Sequence, residues 1–237
     1  MNYINNGSID NKKCEEYPFK HIVIDNFFKP ECVDSILENI NKLKNKNAQV
    51  KRISKGPQFN KFGFNTNFGD YLKQIFIELN SDIFINFLEE LTDIKGIIRN
   101  KINLTGAGIH RIKKKGYLKL HTDFNTCPYE NDYIDRRINV LIYFNPNWKQ
   151  EYNGDLLLCD KDTKKSVKKI MPILNRCVIF TTNNKSIHGH PESLNTPDNI
   201  FRQSIAVYYY TKNTNYPNDF EGDDINRGTT WYSDITY

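Results

Sequence analysis

His121, Asp123 and His188 are the residues whose types and spacing are best suited to chemistry. On a β-strand, positions i and i+2 face the same side, so His121 and Asp123 can reach one metal ion. The third ligand must come from another strand, and His188 follows 65 residues after Asp123. Two imidazoles and one carboxylate are the ligands of iron(II) sites that keep open positions for oxygen chemistry, whereas structural zinc favours thiolates. An isolated His-x-Asp pair also occurs by chance on surfaces, so the prediction depends on the whole set.

Arg202 extends this set, because it lies fourteen residues after His188 on an apolar segment that is typical of a strand. A guanidinium group pairs well with a carboxylate through two hydrogen bonds and stays charged at any physiological pH. We therefore expect Arg202 to anchor a dicarboxylate co-substrate. An ion pair with another residue of the chain is the alternative interpretation.

The elements that would position these residues are short strands. Eight runs with strand character, broken by turn signals, predict a sandwich or barrel; they cover 106–112, 117–121, 138–144, 155–159, 167–171, 177–181, 186–188 and 201–211. Upstream, the pattern predicts a strand and three helices, at 21–28, 32–43, 71–79 and 81–91, with Ser81 as an N-cap. The Lys113–Lys115 run reads as a turn, and 44–67 reads as a long loop, with a mobile flap as one interpretation.

These elements predict one domain over 1–237 with four parts. A polar and mobile segment (1–18) precedes a strand-and-helix support region (19–100). The catalytic core follows at 101–212, and a C-terminal extension at 213–237 either wraps the surface or is partly disordered.

Composition limits the classes of function. There are 33 Lys and Arg against 28 Asp and Glu, a mild excess spread along the chain, which gives no clear nucleic-acid signal. The five cysteines include no C-x-x-C pair, which favours a reducing compartment. Neither a signal peptide nor a membrane span is visible, so we expect a cytoplasmic protein. The abundance of Asn, Lys and Ile resembles translation of an A/T-rich genome, such as that of a virus in a host cytosol.

The segment from Gly106 to Thr211 resembles the iron(II)- and 2-oxoglutarate-dependent oxygenases, in particular their prolyl 4-hydroxylase-like branch. The similar stretches are YLKLHTDFN, RRINVLIYFNPNW, NRCVIF, SIHGHPESL and FRQSIAVYYYT, and more faintly the upstream HIVIDNFFKPE. The resemblance implies a mainly β protein with a double-stranded β-helix core, jelly-roll or cupin-like, and helices packed on one outer face. It also implies iron(II) on His121, Asp123 and His188, bidentate 2-oxoglutarate, O₂ as oxidant and ascorbate as a reductant.

The same resemblance suggests roles around the co-substrate. Arg202 matches the basic residue that binds the distal carboxylate of 2-oxoglutarate. Ser204, on the same strand face, and Tyr143, on a facing strand, match residues that hydrogen-bond that carboxylate. Asn139 shares the inward face of Tyr143 and is a candidate for contact with the co-substrate or a water molecule. For Tyr143 and Asn139, a purely structural role stays open.

Two further histidines are ambiguous. His190 has the same strand parity as His188, but His188 follows the Ser-x-His lead-in of the family. We therefore favour His188 as the ligand and assign His190 to the surroundings of the metal or to the substrate. His110 lies on an earlier strand and is either an interior structural histidine or a residue near the substrate.

Together these observations predict an Fe(II)- and 2-oxoglutarate-dependent dioxygenase that hydroxylates an unactivated C–H bond of a small molecule or a peptide, a prolyl or other peptidyl side chain included. Two alternatives stay open: a catalytically silent jelly-roll that acts as a binding module, and a cupin-like metal enzyme that does not use 2-oxoglutarate. The sequence specifies neither the substrate nor the oligomeric state.

Overall fold

A computed structural model describes residues 1–99, 106–129, 132–212 and 228–237. The strands, which form one curled antiparallel sheet, are β1 His21–Ile24, β2 Val50–Arg52, β3 Gln58–Phe64, β4 Gly108–Thr122, β5 Thr126–Tyr129, β6 Asp132–Tyr143, β7 Leu156–Asp160, β8 Lys165–Ile170, β9 Cys177–Thr181, β10 Ile187–His190, β11 Arg202–Lys212 and β12 Thr230–Trp231. The helices are α1 Asn6–Ile9, α2 Pro30–Lys42, α3 Asp70–Glu78 and α4 Asp82–Thr92. This confirms the predicted mainly β class.

The order of hydrogen-bonded strands along the sheet is β1-β9-β6-β11-β4-β10-β7-β8, and β2 and β3 extend it beside β4. Strand β4 is long enough to take part in both layers of the roll. Its first half pairs with β11, its second half pairs with β10 and β12, and β3 pairs with residues of both halves. Because neighbouring residues on a strand face opposite sides, β4 has one face toward the inside of the roll and the other toward the helices.

The helices cover one outer face of the sheet, as predicted. Helix α2 begins with Pro30 at its first turn and buries Val33, Ile36 and Ile40, which recur at helical spacing. Ser81 caps α4, as predicted, because its hydroxyl accepts a hydrogen bond from the Phe84 amide at 3.4 Å. Each fully buried aliphatic or aromatic side chain of this layer stabilises the fold by about 1.5–3 kcal/mol. The sheet side of the layer comes from the outward-facing residues of β4, β6 and β11, among them Ile109, Ile138, Val140, Ile142, Ile205 and Val207.

Two segments differ from the sequence prediction. Residues 44–67 are not a long loop, because β2 and β3 form a hairpin whose second strand pairs with β4. The Lys113–Lys115 run is not a turn between two strands, because β4 continues through it. The chain only bends there, with Lys115 at a φ of 63°.

The N-terminal segment is packed rather than mobile. The Glu78 carboxylate accepts hydrogen bonds from the backbone amides of Asn2, Tyr3 and Ile4 at 2.8–2.9 Å. Ile4 is fully buried in the same core as the helices. The prediction of a mobile N-terminus was therefore wrong, because a carboxylate from α3 satisfies its amides.

The C-terminal extension is described only in part. Residues 213–227 of the predicted extension lie outside the described residues. The last strand, β12, pairs with β4 so that Thr230 lies opposite Thr122 and Trp231 opposite His121. No described helix has the length and apolar composition needed to span a lipid bilayer.

Candidate metal centre and the adjoining cavity

The three predicted metal ligands converge inside the roll. His121 is near the end of β4, Asp123 follows that strand directly, and His188 lies on β10 opposite His121. Their ligand atoms all lie within 4.8 Å of one another. The Asp123 carboxylate faces both imidazoles, with its oxygens 3.6 Å from His121 Nε2 and 3.4 Å from His188 Nε2. Among the described residues this is the one cluster of three such side chains with metal-binding spacing.

Backbone carbonyls orient both imidazoles. His121 Nδ1 lies 2.8 Å from the Lys119 carbonyl, and His188 Nδ1 lies 2.9 Å from the Ser186 carbonyl. A carbonyl oxygen only accepts hydrogen bonds, so each Nδ1 carries a proton and donates it to that carbonyl. Each Nε2 points toward Asp123 and is therefore the ring nitrogen that would coordinate a metal held beside this carboxylate.

The Asp123 carboxylate is held as an anion by its neighbours. Burial by itself would raise its pKa, but the neighbouring Arg136 guanidinium holds the pKa of Asp123 well below its usual value. Arg136 Nη2 lies 2.9 Å from Asp123 Oδ2, and Asn139 donates to the same oxygen at 2.8 Å. Arg136 Nε in turn donates to Asn139 Oδ1 at 2.9 Å, which closes a triangle of hydrogen bonds.

The imidazole of His188 is neutral at physiological pH. Burial and the neighbouring His121 lower the pKa of His188 to about 4. A neutral imidazole can coordinate a metal without first losing a proton. Two imidazoles and one carboxylate, with no cysteine among them, are a donor set that fits a ferrous ion.

Arg202 lines the same cavity and has no carboxylate partner among the described residues. Its Nε donates to the Gly154 carbonyl at 2.7 Å, and its Nη2 lies 3.5 Å from the Tyr143 hydroxyl. Gly154 has a φ of +85°, and a Cβ there would lie 2.6 Å from Leu194 and 3.1 Å from the Arg202 side chain. The glycine thus allows the backbone to approach the guanidinium and fix its orientation.

The predicted neighbours of Arg202 are close to it. Tyr143 and Ser204 are directly paired across β6 and β11, and both line the cavity. Burial raises the pKa of Tyr143, so its hydroxyl stays protonated and can donate. Asn139 also lines the cavity, but its amide donates to Asp123, which places it beside the metal ligands instead of beside Arg202.

His190 and His110 both line the cavity but differ in their contacts. His190 is 2% exposed, and neither ring nitrogen has a hydrogen-bond partner among the described residues. It lies opposite Leu118 and is not part of the metal cluster. His110 lies 3.1 Å from the Gly106 carbonyl through Nε2, so it is a satisfied histidine at the wall of the cavity.

Three side chains at the site were missed by the sequence analysis. Arg136 was missed because β6 bulges where Tyr209 and Tyr210 of β11 pair with Ile138 and Arg136. The extra residue puts Arg136 on the same face as Asn139, where simple alternation would put Arg137.

The other two lay in segments whose structure was not foreseen. Lys61 fell in the expected loop, and Trp231 fell in the C-terminal extension. Lys61 lines the cavity. The Trp231 ring packs against the His121 ring at 5.0 Å. No clear sequence signal marked either residue.

The cavity that joins these groups has a volume of about 310 Å³. The metal ligands, Arg202 and Tyr143 all line it, together with residues of β3. Such an arrangement can hold a metal and an elongated diacid together, with space for a further molecule.

Comparison with known proteins agrees with this geometry. Residues 107–210 match the model of the 2OG-Fe(II) oxygenase superfamily. The mouse (Mus musculus) protein prolyl 3-hydroxylase OGFOD1 is 31% identical over 93 residues, which is 38% of this chain but only 16% of the mouse protein.

Two solved structures share the fold. A Pseudomonas putida prolyl-4-hydroxylase has a TM-score of 0.57 at 13% identity, over 81% of this chain and 92% of that one. A Trichoplax adhaerens prolyl hydroxylase, solved with a peptide fragment of the hypoxia inducible factor oxygen degradation domain, has a TM-score of 0.56 at 20% identity, over 81% and 83%. The predicted jelly-roll is confirmed by this likeness, which shows a prolyl 4-hydroxylase-like fold, and within it residues 107–210 are similar in sequence to the 2OG-Fe(II) oxygenase superfamily.

Proposed function

We propose that this chain is an Fe(II)- and 2-oxoglutarate-dependent dioxygenase that hydroxylates an unactivated C–H bond. One observation carries the proposal. A cluster of two histidines and one carboxylate lies in the same cavity as Arg202, a buried arginine that has no carboxylate partner among the described residues. The cluster suits ferrous iron, and the arginine suits the distal carboxylate of the co-substrate. Iron(II) with 2-oxoglutarate and O₂ supplies the oxidising power for hydroxylation, with succinate and CO₂ as co-products.

The residues of the chain supply position and environment. His121, Asp123 and His188 would hold the metal from one side and leave the other side open. Arg202, with donors left over after its bond to Gly154, would fix the far end of the diacid, and Tyr143 would add a hydroxyl donor. The buried walls limit access of water to the reacting groups.

We further propose a peptidyl side chain as the substrate, with a small molecule as the second candidate. The mouse relative is a prolyl 3-hydroxylase by name, and the Trichoplax structure holds a peptide. The match covers only 16% of the mouse protein, so the type of residue that is hydroxylated does not follow from that relative. A proline or another residue is therefore part of the proposal.

The test is 2-oxoglutarate turnover by protein purified without oxygen and then supplied with iron(II) and air. We expect succinate release that depends on 2-oxoglutarate, and a visible spectral change when the co-substrate is added anaerobically to the iron-loaded protein. The His121→Ala variant is the control and should show neither. Metal binding without any effect of 2-oxoglutarate would instead support a cupin-like enzyme, and absence of both signals would support a binding module.

A further inference from the structure

Lys61 is a charged residue of the cavity to which the proposed function gives no role. It lies on β3, half-buried, and its ammonium group has no hydrogen-bond or ion-pair partner among the described residues. Lys61 pairs with Ile112 on β4, and Ile112 pairs with Arg202 on β11. Directly paired residues share a face of a sheet, so Lys61 and Arg202 project into the cavity from either side of Ile112.

The cavity has an excess of positive charge that the metal and co-substrate do not remove. Four cationic side chains line it, Arg52, Lys61, Arg136 and Arg202, and Asp123 is the one carboxylate among the described lining residues. Under the proposed function, the two positive charges of iron(II) and the two negative charges of 2-oxoglutarate cancel. The loaded cavity therefore keeps three uncompensated positive charges, which favours a further anionic ligand.

The other cations already have assigned partners or lie at the surface. Arg136 is paired with Asp123, Arg202 is matched to the co-substrate, and Arg52 is exposed at the mouth. Beside Lys61 the cavity offers a second unsatisfied group, the buried His190 imidazole, whose ring nitrogens have no described partner. Buried polar groups without partners cost free energy, so the His190 ring points to a ligand that accepts hydrogen bonds, and the Lys61 ammonium favours one that is also an anion.

We propose that Lys61 anchors the primary substrate, and that this substrate carries an oxyanion, a carboxylate or a phosphate, which the Lys61 ammonium and the His190 ring bind inside the cavity. This inference rests on the proposed function, because it assigns Arg202 and the metal to the co-substrate. Arg52 at the mouth would favour entry of the same anionic substrates.

The protonation state of Lys61 agrees with this role. Burial lowers the pKa of Lys61 to about 8, although Asp123 opposes the shift. The side chain is therefore mainly a cation near pH 7, in surroundings that hydrate it poorly. A poorly hydrated ammonium forms a stronger hydrogen bond with an anion than one at the surface.

The experiment uses anions as probes, because the substrate itself is unidentified. The protein is loaded with Mn(II) and saturating 2-oxoglutarate, and paramagnetic broadening is followed for the ¹⁹F signal of trifluoroacetate and the ³¹P signal of inorganic phosphate. Trifluoroethanol is the neutral control probe. We expect saturable broadening of at least one anion and none of the alcohol. The two anions distinguish carboxylate from phosphate recognition.

Matched variants assign the effect to Lys61. Lys61→Met should weaken anion binding roughly tenfold to a hundredfold, the usual worth of a hydrogen bond to a charged group, and Lys61→Arg should restore most of it. Lys55→Met, which removes an exposed charge from the same hairpin, should bind like the parent protein. Thermal unfolding of each variant checks that it is folded.

Three outcomes would overturn the inference: no saturable broadening, equal binding by Lys61→Met, or displacement of the anion by 2-oxoglutarate. The last would show that Lys61 belongs to the co-substrate. Failure of the proposed function is seen separately, as no effect of 2-oxoglutarate on the relaxation of water protons by the Mn(II)-loaded protein.

Discussion

The buried pair between Arg136 and Asp123 gives a prediction in which stability and metal binding are linked. Replacing Arg136 with methionine keeps much of the packing against the Tyr208 ring, over which the guanidinium lies at 3.3 Å. It removes the cation 2.9 Å from Asp123 Oδ2 and leaves a buried carboxylate with Asn139 as its remaining close donor. Breaking one partner of a buried ion pair typically costs about 3–5 kcal/mol.

For a chain of this size, that loss lowers the melting temperature of the metal-free protein by roughly 6 to 20 °C. With metal bound, the cation of the metal replaces that of Arg136 beside Asp123, so the loss should be at most about half as large. The stabilisation by Mn(II) or Zn(II) should therefore be greater in Arg136→Met than in the parent protein. Differential scanning calorimetry with and without metal measures both quantities.

The control is Arg99→Met, because Arg99 is also paired with carboxylates, at 3.2 Å and 3.3 Å, but is 36% exposed and remote from the ligands. Exposed pairs contribute about 0–1 kcal/mol, and the metal should not change that. If the metal-induced stabilisation of Arg136→Met equalled that of the parent, the reasoning that Arg136 balances the charge of a metal-binding carboxylate would be refuted.

Three further predictions concern the ligands, the co-substrate and pH. His188→Ala should weaken Mn(II) binding in calorimetric titration by more than the roughly 10–100-fold typical of losing an outer-shell partner, and His190→Ala should retain it; the reverse would exchange the two assignments. Arg202→Ala should raise the KM for 2-oxoglutarate roughly tenfold to a hundredfold, because the distal carboxylate loses a charged partner, and an unchanged KM would contradict the anchor. Binding of trifluoroacetate should be lost as pH rises through about 8, where Lys61 loses its proton. If binding to the parent protein were as independent of pH as binding to Lys61→Met, this assignment would be contradicted. The charged or titratable groups that influence Lys61 are Asp123, Arg202, Arg52, Arg136, His110 and His190.

The sequence was informative where chemistry and strand periodicity coincide. His121 and Asp123 share a face because their spacing matches the strand repeat. His188 reaches them because β10 pairs with β4 and places His188 opposite His121. Arg202 and Ser204 likewise alternate correctly on β11, and both reach the cavity. Their individual roles in binding stay predictions.

The sequence failed where local signals conflicted with tertiary pairing. Gly56, Pro57 and Asn60 around Lys61 are typical of loops, yet β3 forms because β4 offers it an edge, with Asn60 at a φ of 51° where the register shifts. The bulge in β6 places Arg136 on the cavity face, where simple alternation along the strand predicts Arg137. Of the three residues that were missed, Lys61 and Arg136 are cations of the cavity, so the electrostatic character of the site could not be judged from the sequence.

The location of the metal ligands has a consequence for local unfolding. Along the sheet, the layer formed by β10, β7 and β8 joins the rest of the described strands through the pairing of β10 with β4. His188 lies on one side of this seam, and His121 and Asp123 lie on the other. A bound ion therefore stabilises the pairing of β10 with β4. Backbone amides of β7, β8 and β10 should exchange with deuterium more slowly when the ion is present. Deuterium uptake in β7, β8 and β10, which together contribute one of the three ligands, thus reports metal occupancy without any enzymatic assay.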